Sequence, residues 1–273
     1  MKNKIMPIKM QNALDLYRSA KTYLSGPDGM NNEVTMWFIA GGLLMQEISS
    51  RINKTAFGGL HQKIGVERNK KIKTIRILDV ACGPGNFANH LGFIIPQLKV
   101  VGIDTNIAFL KWARKKFTNL GWKFIEGDAS KIELGKKLDF ITASSAYHHI
   151  PDFEKLSFLK NLKSHLKNNG IILICDNFLP DYSTSFEKQK SIKEYYSLLT
   201  QYYKSGNATK NAIKVIKQAR KLELSGKDEY KTSFRIFEAQ VKAAGLEIVK
   251  DILVWGISQN GMGSHVIILK APR

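Results

Sequence analysis

Apolar residues fall in two rhythms along this chain. Over residues 13–24 and again over 33–52 they recur at helical spacing, with the breaker Ser25-Gly26-Pro27-Asp28-Gly29 between the two stretches. From Ile75 the rhythm changes to short apolar runs rich in β-branched residues. These are residues 75–80, 100–103, 123–125, 138–142 and 170–175. Helical stretches at 107–119 and 153–167 lie between them. Strand alternating with helix predicts a doubly wound α/β domain, its parallel sheet covered by helices on both faces.

Over residues 181–231 the alternation stops, and the pattern predicts two lysine-rich helices. A helix over 233–244 ended by Gly245, and two last strands over 246–254 and 264–269, follow. The organisation expected is an N-terminal helical cap (1–72), a core (73–180 and 232–273) and a helical lid insertion (181–231) within that core. In the insertion, Tyr195, Tyr196, Leu199, Tyr202 and Tyr203 share one helical face, which either packs on the core or walls the site. Met36, Trp37 and Phe38 are expected to cover the site from the other side.

The chemistry sits in Asp79-Val80-Ala81-Cys82-Gly83-Pro84-Gly85, which follows the first strand and opens a helix. Gly83 and Gly85 allow a tight turn and close approach of a ligand to the backbone. A dinucleotide-binding loop would carry a pyrophosphate, which the Asp79 carboxylate would repel. A ligand with a positive amino group suits it better. Asp104, 19 residues after Gly85, ends the second strand, where an acid can accept from both ribose hydroxyls. Asp128, after the third, can accept from an adenine amino group. Each acid alone reads equally well as a loop cap. Their joint spacing favours convergence at the switch point of the sheet.

With these residues in view, the segment 75–175 resembles the class I S-adenosylmethionine-dependent methyltransferases, with Ala81 in place of the first glycine of the family's loop. The resemblance implies a seven-stranded, Rossmann-like sheet, mostly parallel with one antiparallel strand, and S-adenosyl-L-methionine as cofactor. It implies that Asp79, Ala81, Gly83 and Gly85 hold the methionine moiety. Asp104 with Thr105 would hold the ribose, and Asp128 with Ala129 the adenine edge. Ser144 would close the donor pocket. It places Tyr147, His148 and His149 opposite the methyl group, and either histidine can accept a proton near neutrality. A histidine that only packs in the turn is the alternative. Asp176, Asn177 and Phe178 follow the fifth strand, Asp176 as a loop acid. The marks of base-amine and cytosine-C5 methylation are missing after the fourth strand.

Composition adds less. The formal net charge is +19, but the lysines are dispersed with no block of like charge, which reads as a solvated basic surface. Cys82 and Cys175 lack metal spacing, Cys175 reads as a small buried residue, and a cytoplasmic protein is expected. Neither a secretory signal nor a membrane span is expected. The sequence thus predicts methyl transfer to a small-molecule acceptor, with a hydroxyl favoured. An RNA methyltransferase and a non-catalytic S-adenosylmethionine-binding protein remain as alternatives, and no metal is expected.

Overall fold

The computed structural model describes residues 32–57, 74–95, 97–206 and 208–272, with the backbone alone for 52–57. The helix expected over 13–24 lies outside them. The first described element is α1 (Asn32–Phe57). Then come β1 (Ile75–Val80), α2 (Asn86–Ile94), β2 (Leu98–Asp104), α3 (Ile107–Lys116), β3 (Lys123–Glu126), β4 (Leu138–Ser144), α4 (Lys155–Ser164) and β5 (Leu166–Phe178). The chain continues through α5 (Ser185–Ser205), α6 (Lys210–Leu224), α7 (Phe234–Ala243), β6 (Glu247–Ile257) and β7 (Met262–Lys270).

The seven strands form one sheet in the order β3-β2-β1-β4-β5-β7-β6. β1 pairs in parallel with β2 and β4, and β7 runs antiparallel to both of its neighbours. The order reverses between β1 and β4, which opens a crevice at the carboxyl ends of these strands. Side chains alternate across the sheet as the pleat requires. Leu78, Val80 and Ile141 pack with Phe158 and Leu162 of α4 and Phe237 and Val241 of α7. Ile77, Val100 and Phe140 pack on the other face, with Met36 and Leu44 of α1 and Phe87 and Leu91 of α2.

The start of β5 and the placing of Phe38 differ from the sequence reading. β5 begins at Leu166, which pairs with Leu138 before a bulge, so α4 ends at Ser164. Phe38 is exposed and meets His90 edge-on, so it does not cover the site, whereas Met36 and Trp37 are buried. The helices α5 and α6 form their own apolar cluster around Tyr195, Tyr196, Leu199, Tyr203 and Ile216, closed by Leu179 and Met262. A capping box of Thr184 and Glu187 starts α5, and Thr209 caps α6. No helix among the described residues is long and apolar enough to cross a membrane.

Candidate active site

The loop after β1 is built on left-handed backbone. Ala81, Gly83 and Gly85 have φ of 47°, 53° and 78°. A side chain at Gly85 would run into Phe117 at 2.8 Å, while one at Gly83 would enter open space. Glycine at 85 therefore answers to packing, and glycine at 83 leaves a cradle. Ala81 adopts a conformation that glycine takes more cheaply, by about 1 kcal/mol. The loop is tied to β2 by the Cys82 amide, which donates to the Ile103 carbonyl, and by the Gly83 amide, which donates to Asp104 Oδ2 at 2.7 Å.

The acids of the motif follow the sheet order. Asp128 after β3, Asp104 at the end of β2 and Asp79 in β1 stand along one edge, followed by Ser144 at the end of β4 and Asp176 in β5. Four strand spacings carry this row over about 19 Å. Asp104 and Asp128 also cap loops. Asp104 Oδ1 accepts from the Asn106 amide at 2.7 Å, and Asp128 Oδ1 from the Ser130 amide at 2.8 Å. Burial at Asp128 opposes ionisation, but Lys131 and Ser130 outweigh it and hold its carboxyl below the usual range. Asp79 is buried. Its Oδ1 accepts from the Thr142 hydroxyl at 2.7 Å, and its Oδ2 has no partner. Burial and the neighbouring Asp104 push the Asp79 carboxyl up to about 7. Thr105 is exposed beside this edge, and Ala129 is buried, its carbonyl accepting from Asn161.

At the end of β4 the chain turns sharply. Ser145 has φ of 50°, and a 3₁₀ turn covers Tyr147–His149. Ser144 Oγ accepts from the Trp37 indole at 2.9 Å, and Ser145 Oγ donates to Glu33 at 2.7 Å. One turn of α1 separates Glu33 from Trp37, so one face of that helix closes on this strand end. Burial, aided by Asp176, raises the Glu33 pKa.

Asp176 organises the turn. Its Oδ2 accepts from the amides of Ala146 and Tyr147, and its Oδ1 from the Asn177 amide and, at 2.6 Å, from His148 Nδ1. Burial alone would raise its pKa, but His148, Asn177 and Lys231 outweigh it and hold the carboxyl at about 2. An ionised carboxylate only accepts, so His148 keeps its proton on Nδ1 and directs Nε2 away from Asp176. Asp176 is thus more than the loop acid the sequence suggested. Tyr147 is corrected in the other direction. Its hydroxyl donates to Gln240 at 2.5 Å within the core between Phe158 and Phe237. The phenol is committed to packing.

The segment that returns from α6 to the core adds residues that sequence reasoning missed. The Tyr230 amide donates to the His148 carbonyl at 2.7 Å, and the Asp228 carbonyl lies 2.6 Å from His149 Nδ1. Glu229 lies 3.8 Å from His148 Nε2. Lys231 pairs with Glu229 and Glu223 and donates to the Tyr196 hydroxyl, all four groups buried. The tyrosine face of α5 therefore packs. Glu33 and Glu229 carry no local motif.

A family model described as a methyltransferase domain matches residues 77–170, the stretch from β1 into β5. These residues are a methyltransferase domain of the class I, S-adenosylmethionine-dependent kind. The chain is 31% identical over 99 residues to a trans-aconitate 2-methyltransferase of Rhodopseudomonas palustris, covering 36% of this chain and 37% of that protein. It is 35% identical over 80 residues to a malonyl-[acyl-carrier protein] O-methyltransferase of Legionella pneumophila, covering 29% and 28%. The match thus spans under two-fifths of the length of either relative. The fold is similar to that of the mitomycin 7-O-methyltransferase MmcR, with a TM-score of 0.51 at 12% identity over 73% of this chain and 49% of that one.

The methyltransferase domain's own residues fit its cofactor. The unpartnered Oδ2 of Asp79 and the open cradle at Gly83 are the two features that a bound amino-acid moiety would complete.

Proposed function

We infer that this protein transfers the methyl group of S-adenosylmethionine to the hydroxyl of a small-molecule acceptor. The observation that carries the reading is the His148–Asp176 pair at the end of β4, next in the sheet to the glycine loop of β1. The sulfonium donor supplies an activated methyl group, so a base is needed only for an acceptor that carries a proton of high pKa. Asp79 would face the donor's ammonium, the backbone around Gly83 its carboxylate, Asp104 with Thr105 the ribose, and Asp128 with Ala129 the adenine. Ser144, held by Trp37, would border the methyl end. His148 Nε2 would take the hydroxyl proton, and Asp176 would stabilise the imidazolium that forms.

The electrostatics of this end of the crevice narrow the acceptor. Glu33, Asp176 and Glu229 gather around the two histidines, with Lys231 the cation set against them, so acids outnumber the fixed positive charge. They would repel a polycarboxylate such as trans-aconitate, after which one relative is named. They would equally repel the phosphates of RNA. A neutral or cationic hydroxyl compound suits the site. The α5–α6 insertion and α1 would form the lid, with Glu229 its contribution to the site. Turnover of labelled donor over a panel of phenols and alcohols tests this. His148→Asn should lower kcat about a hundredfold or more, with donor affinity within twofold. Full turnover by that variant would overturn the assignment of the base.

A further inference from the structure

We propose that His148, His149 and Glu229 form a binding site for a divalent transition-metal ion of the zinc type. One ligand atom from each lies within 4.8 Å of the other two. His148 Nε2 and Glu229 Oε2 are 3.8 Å apart. In a tetrahedral zinc site neighbouring nitrogen and oxygen ligands stand about 3.3 Å apart, so the three side chains would draw together by roughly 0.5–1.5 Å to close the shell. The ligand set, two imidazoles and a carboxylate, leaves a fourth position open, as in catalytic zinc sites.

The outer contacts settle which nitrogens point inward. His148 Nδ1 faces Asp176 at 2.6 Å, and His149 Nδ1 faces the Asp228 carbonyl at 2.6 Å. Both partners only accept, so each histidine bears a proton on Nδ1 and offers a bare Nε2 when neutral. A carboxylate and a backbone carbonyl holding the far nitrogens are the outer partners that metal-bound imidazoles have. The third ligand comes from a separate element, and the two residues that follow it are tied down by their amides. Tyr230 N donates to the His148 carbonyl at 2.7 Å, and Lys231 N to Glu223 at 2.8 Å. Lys231 also pairs with Glu229, but a carboxylate offers about four lone-pair sites and can hold both cations.

The acceptor reading enters only in what fills the fourth position. An acceptor hydroxyl bound there forms a metal–oxygen bond and releases its proton to water. The ion then does what His148 Nε2 does in its absence, since both use the same lone pair. The test needs neither donor nor acceptor, so its failure leaves the methyl-transfer reading standing. Full-length protein stripped with chelator is titrated with ZnCl2 by calorimetry and with Co2+ in visible absorption. The wild type should take up one equivalent and give the bands of four-coordinate cobalt. Glu229→Gln and His149→Asn should each weaken binding at least tenfold, and Asp176→Asn about ten- to a hundredfold. No stoichiometric uptake by the wild type overturns the proposal, as does binding unchanged in both ligand variants. Should a variant fail to fold, proton NMR of the cobalt-loaded wild type decides. Two paramagnetically shifted histidine N–H signals support the site, and none overturns it.

Discussion

On the proposed donor site, Asp79 would couple stability to donor binding, and Asp79→Asn would separate the two. The carboxyl ionises at 3.8 in water and at about 7 in the folded protein, with burial the main cause. A raised carboxyl pKa means that its contribution to stability is whole below pH 4 and is lost as pH rises through 7. At about 1.4 kcal/mol per pH unit, ionised Asp79 costs the free protein up to about 4 kcal/mol at pH 8. The amide introduced by Asp79→Asn would keep the hydrogen bond from Thr142. It would place an N–H where Oδ2 now lacks a partner, at a cost of about 1–3 kcal/mol. The variant should therefore be about 1–3 kcal/mol more stable than wild type at pH 8, and equal or less stable at pH 5. Donor affinity at pH 8 should fall by about 1.5–3 kcal/mol, the worth of a hydrogen bond to a charged group. Urea unfolding at the two pH values and calorimetry with S-adenosylmethionine read both effects. A variant less stable than wild type at pH 8, with unchanged donor affinity, would refute the reasoning.

Further expectations follow from individual contacts. Gly85→Ala places a methyl group 2.8 Å from Phe117 on left-handed backbone and should destabilise by about 2–4 kcal/mol in urea unfolding. Lys231→Met leaves Glu223 and Glu229 buried without their cation and should cost about 3–5 kcal/mol in the same assay. Tyr147→Phe removes only the bond to Gln240; turnover should stay within threefold and stability should fall by about 1 kcal/mol.

What the sequence made legible was local. β1 was bounded correctly because a buried parallel strand is a continuous apolar run. The glycine loop and its acids stood at strand ends that the same runs mark. The seven-stranded order with one reversed strand came from the family resemblance. What stayed hidden depends on contacts distant in the chain. Glu33 reaches Ser145 across 112 residues, and Glu229 reaches His148 from the far end of the insertion. No spacing signals either. Asp176 looked like one more turn acid because its partners, the amides of a 3₁₀ turn and an imidazole, lie 28–30 residues back. Tyr147 sat in the right turn, yet its ring packs inward between Phe158 and Phe237. The extra length of β5 arises from pairing with Leu138, which the helical pattern of 153–167 conceals.

The central claim is that the carboxyl edge of β1, β2 and β3 holds S-adenosylmethionine. Calorimetric titration of the donor into wild type and into Asp104→Ala, both checked for folding by circular dichroism, tests it most directly. The account predicts one site per chain in the wild type and a loss of about 1.5–3 kcal/mol in the variant. Equal affinity in the two folded proteins, or no binding by the wild type, would contradict it.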